Sequence, residues 1–154
     1  MNLEEFKNLI KYVVKNARFL KDKYTNQKDA PVSYAAIFCQ NDQEYEKFSK
    51  LVNLIGTPIN NTQSGYDYKI EPIETISGPL KILKVRKPDK TRLERGDADF
   101  NVDNYEKFKK KHLNLPGFKL IIRPDDEMIE LMETGADVRV YFSHPYVNIR
   151  LDIK

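Results

Sequence analysis

Tyr45-Glu46-Lys47-Phe48 recurs as Tyr105-Glu106-Lys107-Phe108, an offset of 60 residues. Further along, Asn53-Leu54-Ile55-Gly56 returns as Asn114-Leu115-Pro116-Gly117, an offset of 61. Ile70-Glu71-Pro72-Ile73-Glu74-Thr75 returns as Ile129-Glu130-Leu131-Met132-Glu133-Thr134, an offset of 59. Three matches in one order at nearly one spacing mark an internal duplication, and a duplicated unit constrains architecture more tightly than local propensity does.

Each copy spells out the same elements. In the first, Val32 to Phe38 is a β-branched and aromatic run suited to a strand. Asn41 with Glu44 forms a capping signal for a helix that places Tyr45, Phe48, Val52 and Ile55 on one face, and Gly56 is expected to provide a left-handed stop. Strands then follow at Thr57 to Thr62, Tyr66 to Glu74 and Leu80 to Arg86, divided by Ser64-Gly65 and Ser77-Gly78-Pro79. In the second copy a strand at Asp97 to Val102 leads into a helix from Asp103 to Leu115, capped by Asp103 and Glu106. Strands follow at Phe118 to Arg123, Glu127 to Glu133 and Val138 to Phe142.

The fold class read from this pattern is α+β: two tandem βαβββ units whose curled mixed sheets pair. An N-terminal amphipathic helix precedes them. Residues 1–30 hold that helix and a loop, 31–88 the first unit, 89–96 a linker that overlaps the charged stretch 87–95, 97–146 the second unit and 147–154 a tail. The N-terminal stripe Leu3, Phe6, Ile10, Val13, Ala17 and Leu20 must be buried, on the sheet of this chain or in a contact that would make it a homo-oligomer, with a membrane surface as the weaker third option.

Composition narrows the function classes. The 40% hydrophobic fraction supports a core, and no apolar run approaches the roughly 20 residues of a membrane span. The opening Met1 to Glu5 lacks the basic-then-apolar order of a secretory signal, so the cytoplasm is the expected compartment. One cysteine, Cys39, excludes an intramolecular disulfide and a multi-cysteine zinc site. A net charge of +3 is too small an excess to mark a nucleic-acid binder, and the aromatic residues within the Lys107 to Lys111 cluster match core positions of the first helix.

A tandem βαβββ pair in this order resembles the vicinal oxygen chelate superfamily, the glyoxalase and bleomycin-resistance fold, over about residues 31 to 146. Lys84-Val85-Arg86-Lys87-Pro88, Arg92 and Gly96-Asp97-Ala98-Asp99-Phe100 are similar in spacing to its YecM-like branch. The resemblance implies two curled sheets forming a cup, with metal ligands, commonly His and Glu, on the first and last strands of each unit. Those positions fall on Ser33, Lys84, Asp97 and Tyr141. Only Asp97 suits a metal, because an ammonium at Lys84 repels a cation and a lone serine binds one poorly.

Strand alternation gives the contents of the cup independently. It directs Ser33, Ala35 and Ile37 inward from the first strand, Ile82, Lys84 and Arg86 from the fourth, Asp97, Asp99 and Asn101 from the fifth, and Arg139, Tyr141 and Ser143 from the last. The expected ligand set is therefore Ser33, Lys84, Arg86, Asp97, Asp99, Asn101, Arg139 and Tyr141, suited to a small anionic or zwitterionic molecule, with no catalytic residue assigned and no metal or other cofactor.

Two other functions compete with this one. A lyase, isomerase or dioxygenase would keep a divalent metal at Asp97, with Asp99 or His144 assisting. A structural or dimerising protein would close the cup with its own salt bridges. His112 is expected to pack, His144 is the better acid or base, and Asp125-Asp126-Glu127 is expected to be a solvated turn.

Overall fold

A computed structural model describes all 154 residues. Its chain order is α1 (Leu3–Tyr24), β1 (Val32–Phe38), α2 (Asp42–Val52), β2 (Gly56–Thr62), β3 (Gly65–Thr75), β4 (Gly78–Arg86), β5 (Gly96–Phe100), α3 (Tyr105–His112), β6 (Phe118–Ile122), β7 (Glu127–Leu131), β8 (Val138–His144) and α4 (Val147–Arg150). The strands form one eight-stranded mixed sheet in the order β2-β3-β4-β1-β5-β8-β7-β6. Each unit contributes a half with the same internal plan, its first strand parallel to its last. The halves meet where β1 runs antiparallel to β5, with Ala35 opposite Ala98 and Ala36 opposite Asp97. The fold is thus α+β with an N-terminal helix, as the duplication predicts, and the two curled sheets join into one.

One face of this sheet is the core. Ala35 and Ile37 of β1, Leu83 and Val85 of β4, Ala98 and Phe100 of β5, and Val138, Val140 and Phe142 of β8 all belong to one apolar cluster. The helices cover them. Asn2 caps α1 in a reciprocal box with Glu5, and its stripe of Phe6, Ile10, Val13, Val14, Ala17 and Leu20 is buried. The Phe6 ring sits 5.3 Å from that of Phe48, linking α1 to α2. The apolar stripe is therefore satisfied within this chain.

Several local expectations shift. Gly56 begins β2 rather than supplying a left-handed stop; a side chain there would meet the Lys69 carbonyl at 2.5 Å, so close backbone approach explains the glycine. In the second copy Gly117 does take the left-handed conformation, at φ 90°. The α3 cap is Asn104, not Asp103. Asn104 adopts φ 49° and accepts from the Lys107 amide, a conformation that asparagine tolerates better than most residues. Within the tail, Val147–Arg150 makes the helical turn α4 on the open face of the sheet.

Candidate functional site

The open face of the curled sheet encloses a cavity of about 200 Å³, lined from both halves. Five cationic side chains border it, Lys84, Arg86, Arg92, Arg123 and Arg150, against three carboxyl groups, Asp67, Asp97 and Asp99. Tyr34, Asn60, Thr62, Met128 and Tyr141 complete much of the wall.

Of the residues expected from sequence, Lys84, Arg86, Asp97, Asp99 and Tyr141 line the cavity. Ser33, Asn101 and Arg139 do not. A bulge between Val32 and Tyr34 advances β1 by one residue, so Tyr34 faces the cavity and Ala35 and Ile37 turn into the core, reversing the alternation expected for that strand. Ser33 and Asn101 instead meet at Asn148 of α4, each 3.0 Å from its side-chain oxygen. Arg139 lies on the correct face but is fully engaged. It donates to Glu94 at 2.9 Å and the Thr91 carbonyl at 2.8 Å, and lies 3.5 Å from Glu130.

That engagement gives residues 87–95 a structural purpose. The stretch lacks helix and strand, yet it is pinned to both halves: Arg139 holds Thr91 and Glu94, while Arg95 forms a two-pronged pair with Glu44 of α2 at 2.8 Å on each prong. So held, it delivers Arg92 into the cavity, where the guanidinium donates to the Tyr141 hydroxyl at 3.3 Å and lies over the Phe38 ring. Tyr141 in turn donates to Glu130 at 2.6 Å. Arg92 belongs to the Lys84 to Phe100 pattern of proline, arginine and glycine, but it lies outside any strand, so no alternation reveals its direction.

The charged groups differ in how far the fold satisfies them. Lys84 spends its donors on Thr62 and Ser64 at 2.9 and 3.0 Å and pairs with Asp67 at 3.7 Å. Asp67 also accepts from Asn60 at 2.9 Å and Tyr34 at 3.3 Å, which makes this corner self-sufficient. Burial lowers the Lys84 pKa, opposed chiefly by Asp67, and raises that of Tyr34. On the far side, Asp126 accepts from Arg123 at 2.5 Å and lies 3.7 Å from Arg150, fixing both at the wall.

Arg86, Asp97 and Asp99 are the exceptions. Arg86 reaches Asp89 only at 3.7 Å, and its Nε is buried with no hydrogen-bond partner. Asp97 and Asp99 are 7% and 2% exposed, and one oxygen of each is buried and unpartnered, while Ser143 donates to the other oxygen of Asp99. Burial pushes Asp97 up to about 7 against the pull of Arg92, Arg86, Lys84 and Arg139. It pushes Asp99 up to about 8, against the Ser143 hydrogen bond and with help from Asp97. The cavity is therefore more positive near neutral pH than its formal charges suggest.

This donor set does not fit the metal that the superfamily resemblance implies. Lys84 and Tyr141 occupy two of the four positions that the resemblance implies, the bulge puts Tyr34 rather than Ser33 at the cavity on β1, and Asp97 is ringed by cations. No three His, Cys, Asp or Glu side chains converge. The other sequence candidates lie elsewhere. His144 stacks on Tyr105 at 4.8 Å outside the cavity, His112 packs between Phe108 and Phe118, and Cys39 is buried with its thiol pushed up to about 12. Asp125-Asp126-Glu127 is split, Asp126 pairing with arginines and Glu127 with Lys109 at 2.9 Å.

Among solved structures, a protein described as "Structural Genomics, Protein EC4020" matches 97% of this chain and 91% of its own at 12% identity, with a TM-score of 0.72. The two chains share a fold. A glyoxalase/bleomycin resistance protein/dioxygenase superfamily member from Vibrio splendidus 12B01 aligns over 74% of this chain and 97% of its own, at 9% identity and a TM-score of 0.46. No family model and no curated protein matches the sequence. No helix is long and apolar enough to cross a membrane.

Proposed function

We propose that the protein binds a small anionic or zwitterionic metabolite in the sheet cavity, with Arg86 and Arg92 as the charge partners of its acid group. The observation that carries this reading is Arg86: a buried, unpartnered guanidinium nitrogen at the wall of a cavity where cations outnumber carboxyl groups. A buried donor left without an acceptor costs about 1–3 kcal/mol, and a bound carboxylate or phosphate would supply that acceptor in a charge-assisted bond. Lys84 and Tyr141 shape the field and the wall, and Arg139 acts indirectly by holding residues 87–95. A volume of about 200 Å³ suits a small metabolite rather than a drug-sized ligand, whose pockets start near 300 Å³. Kinship with the YecM-like branch belongs to the same reading, supported by the Lys84 to Phe100 pattern that supplies Arg86, Arg92, Asp97 and Asp99.

The test is a thermal-shift and titration screen with inorganic phosphate, sulfate and a series of mono- and dicarboxylates. We expect at least one anion to raise the melting temperature of the native protein and the response to vanish in an Arg86→Gln/Arg92→Gln variant. Equal responses from the two proteins, or none from either, would refute the assignment.

A further inference from the structure

The cavity contains its own comparison between a carboxyl group with both oxygens served and two with an oxygen left over. Asp67 accepts from Asn60 and Tyr34 and pairs with Lys84, so both of its oxygens are occupied. Asp97 and Asp99, one residue apart in the alternation of β5 and pointing to the same face, are at least nine-tenths buried. Each still has an oxygen with no donor. Leaving two such acceptors dry in one wall is costly.

Resting on the anion-binding reading, we infer that the ligand is a small zwitterion of the amino-acid type, its carboxylate on Arg86 and Arg92 and its ammonium on the free oxygens of Asp97 and Asp99. An ammonium group brings three donors and a charge, enough to serve both oxygens at once. A hydroxyl brings one donor and no charge, and leaves the second oxygen unserved. A divalent metal needs further anionic or neutral ligands, whereas the next groups around Asp97 are Arg92, Arg86, Lys84 and Arg139, and those around Asp99 are Ser143 and Arg150. An ammonium needs no fixed coordination number.

Calorimetric titration of the full-length protein with the twenty standard L-amino acids tests the assignment, each binder being compared with its 2-hydroxy acid and its unsubstituted carboxylic acid. We expect at least one amino acid to bind and the loss of its amine to weaken binding tenfold or more. Asp97→Asn and Asp99→Asn should each remove most of that preference while leaving the weaker binding of the hydroxy acid in place; Arg86→Gln should weaken all three ligands. Comparing ligands on the native protein requires no variant, so a variant that fails to fold leaves the outcome readable. Hydroxy acids or carboxylates that bind as well as the amino acids would overturn the zwitterion and leave the anion site standing. Absence of binding by every amino acid overturns the zwitterion, and absence of binding by every anion overturns both.

Discussion

At the scale of single residues, Asp97 and Asp99 set the clearest test of the cavity. Both carboxyl groups have folded-state pKa values raised by burial, to about 7 and about 8 from an ordinary value of 3.8. Between about pH 4 and 8 the folded protein therefore holds more protons on these groups than the unfolded chain does, and stability falls as pH rises through that window. Glu44, Glu127 and Glu133 are shifted down by Arg95, Lys109 and Lys23, and their contribution is already complete once pH exceeds the usual carboxylate range. Thermal unfolding followed by circular dichroism should thus show a melting temperature that declines from pH 6 to 8.5 and a flatter profile for Asp99→Asn. A native profile that rises over this range would show both groups to be ionised throughout. Alternation along β4, β5 and β8 was enough to find Lys84, Arg86, Asp97, Asp99 and Tyr141. Tyr34 was not legible, because a bulge depends on how β1 meets β5 and leaves no mark in β1 alone.

At the scale of elements, the junction between the halves is held by close backbone approach. Gly96 opens β5 opposite Ile37, and a β-carbon there would lie 2.2 Å from the Ala36 carbonyl oxygen and 3.0 Å from the Val13 side chain. A backbone oxygen of a central strand cannot swing aside as a flexible side chain can. We expect Gly96→Ala to cost about 1–3 kcal/mol, the usual range for overpacking, and to lower the melting temperature by several degrees. Unfolding in denaturant would measure it; an unchanged midpoint would mean that β1 and β5 separate without cost. Strand and helix positions were readable to within a few residues because their periodicities are local. The pinning of residues 87–95 was not, since its anchors Glu44 and Arg139 lie on α2 and β8 and only the folded chain brings them together.

For the whole molecule, α1 ties the design together. It contacts β1 and β5 of the junction as well as β8 and α2, so one amphipathic helix roofs both copies of the duplicated unit. Phe6→Ala removes a fully buried ring from this roof and should destabilise the protein by about 3–5 kcal/mol, seen as a single cooperative loss across both halves in denaturant unfolding. Two separate transitions would show that the halves stand independently. The duplication revealed that there are two equivalent halves, but not that their sheets fuse. Pairing between β1 and β5 is a contact across some 60 residues, and nothing in either strand's own pattern names its neighbour.

The antiparallel junction between β1 and β5 runs directly beneath the cavity, with Tyr34 opposite Asp99 and Ala36 opposite Asp97. A molecule gripping Arg86 from one half and Asp97 from the other acts as a clasp across that seam, and parting the strands would require releasing it. Backbone amides along the seam should then exchange with heavy water more slowly in proportion to occupancy, which makes the joint between the two repeats a clock for whatever the cavity holds.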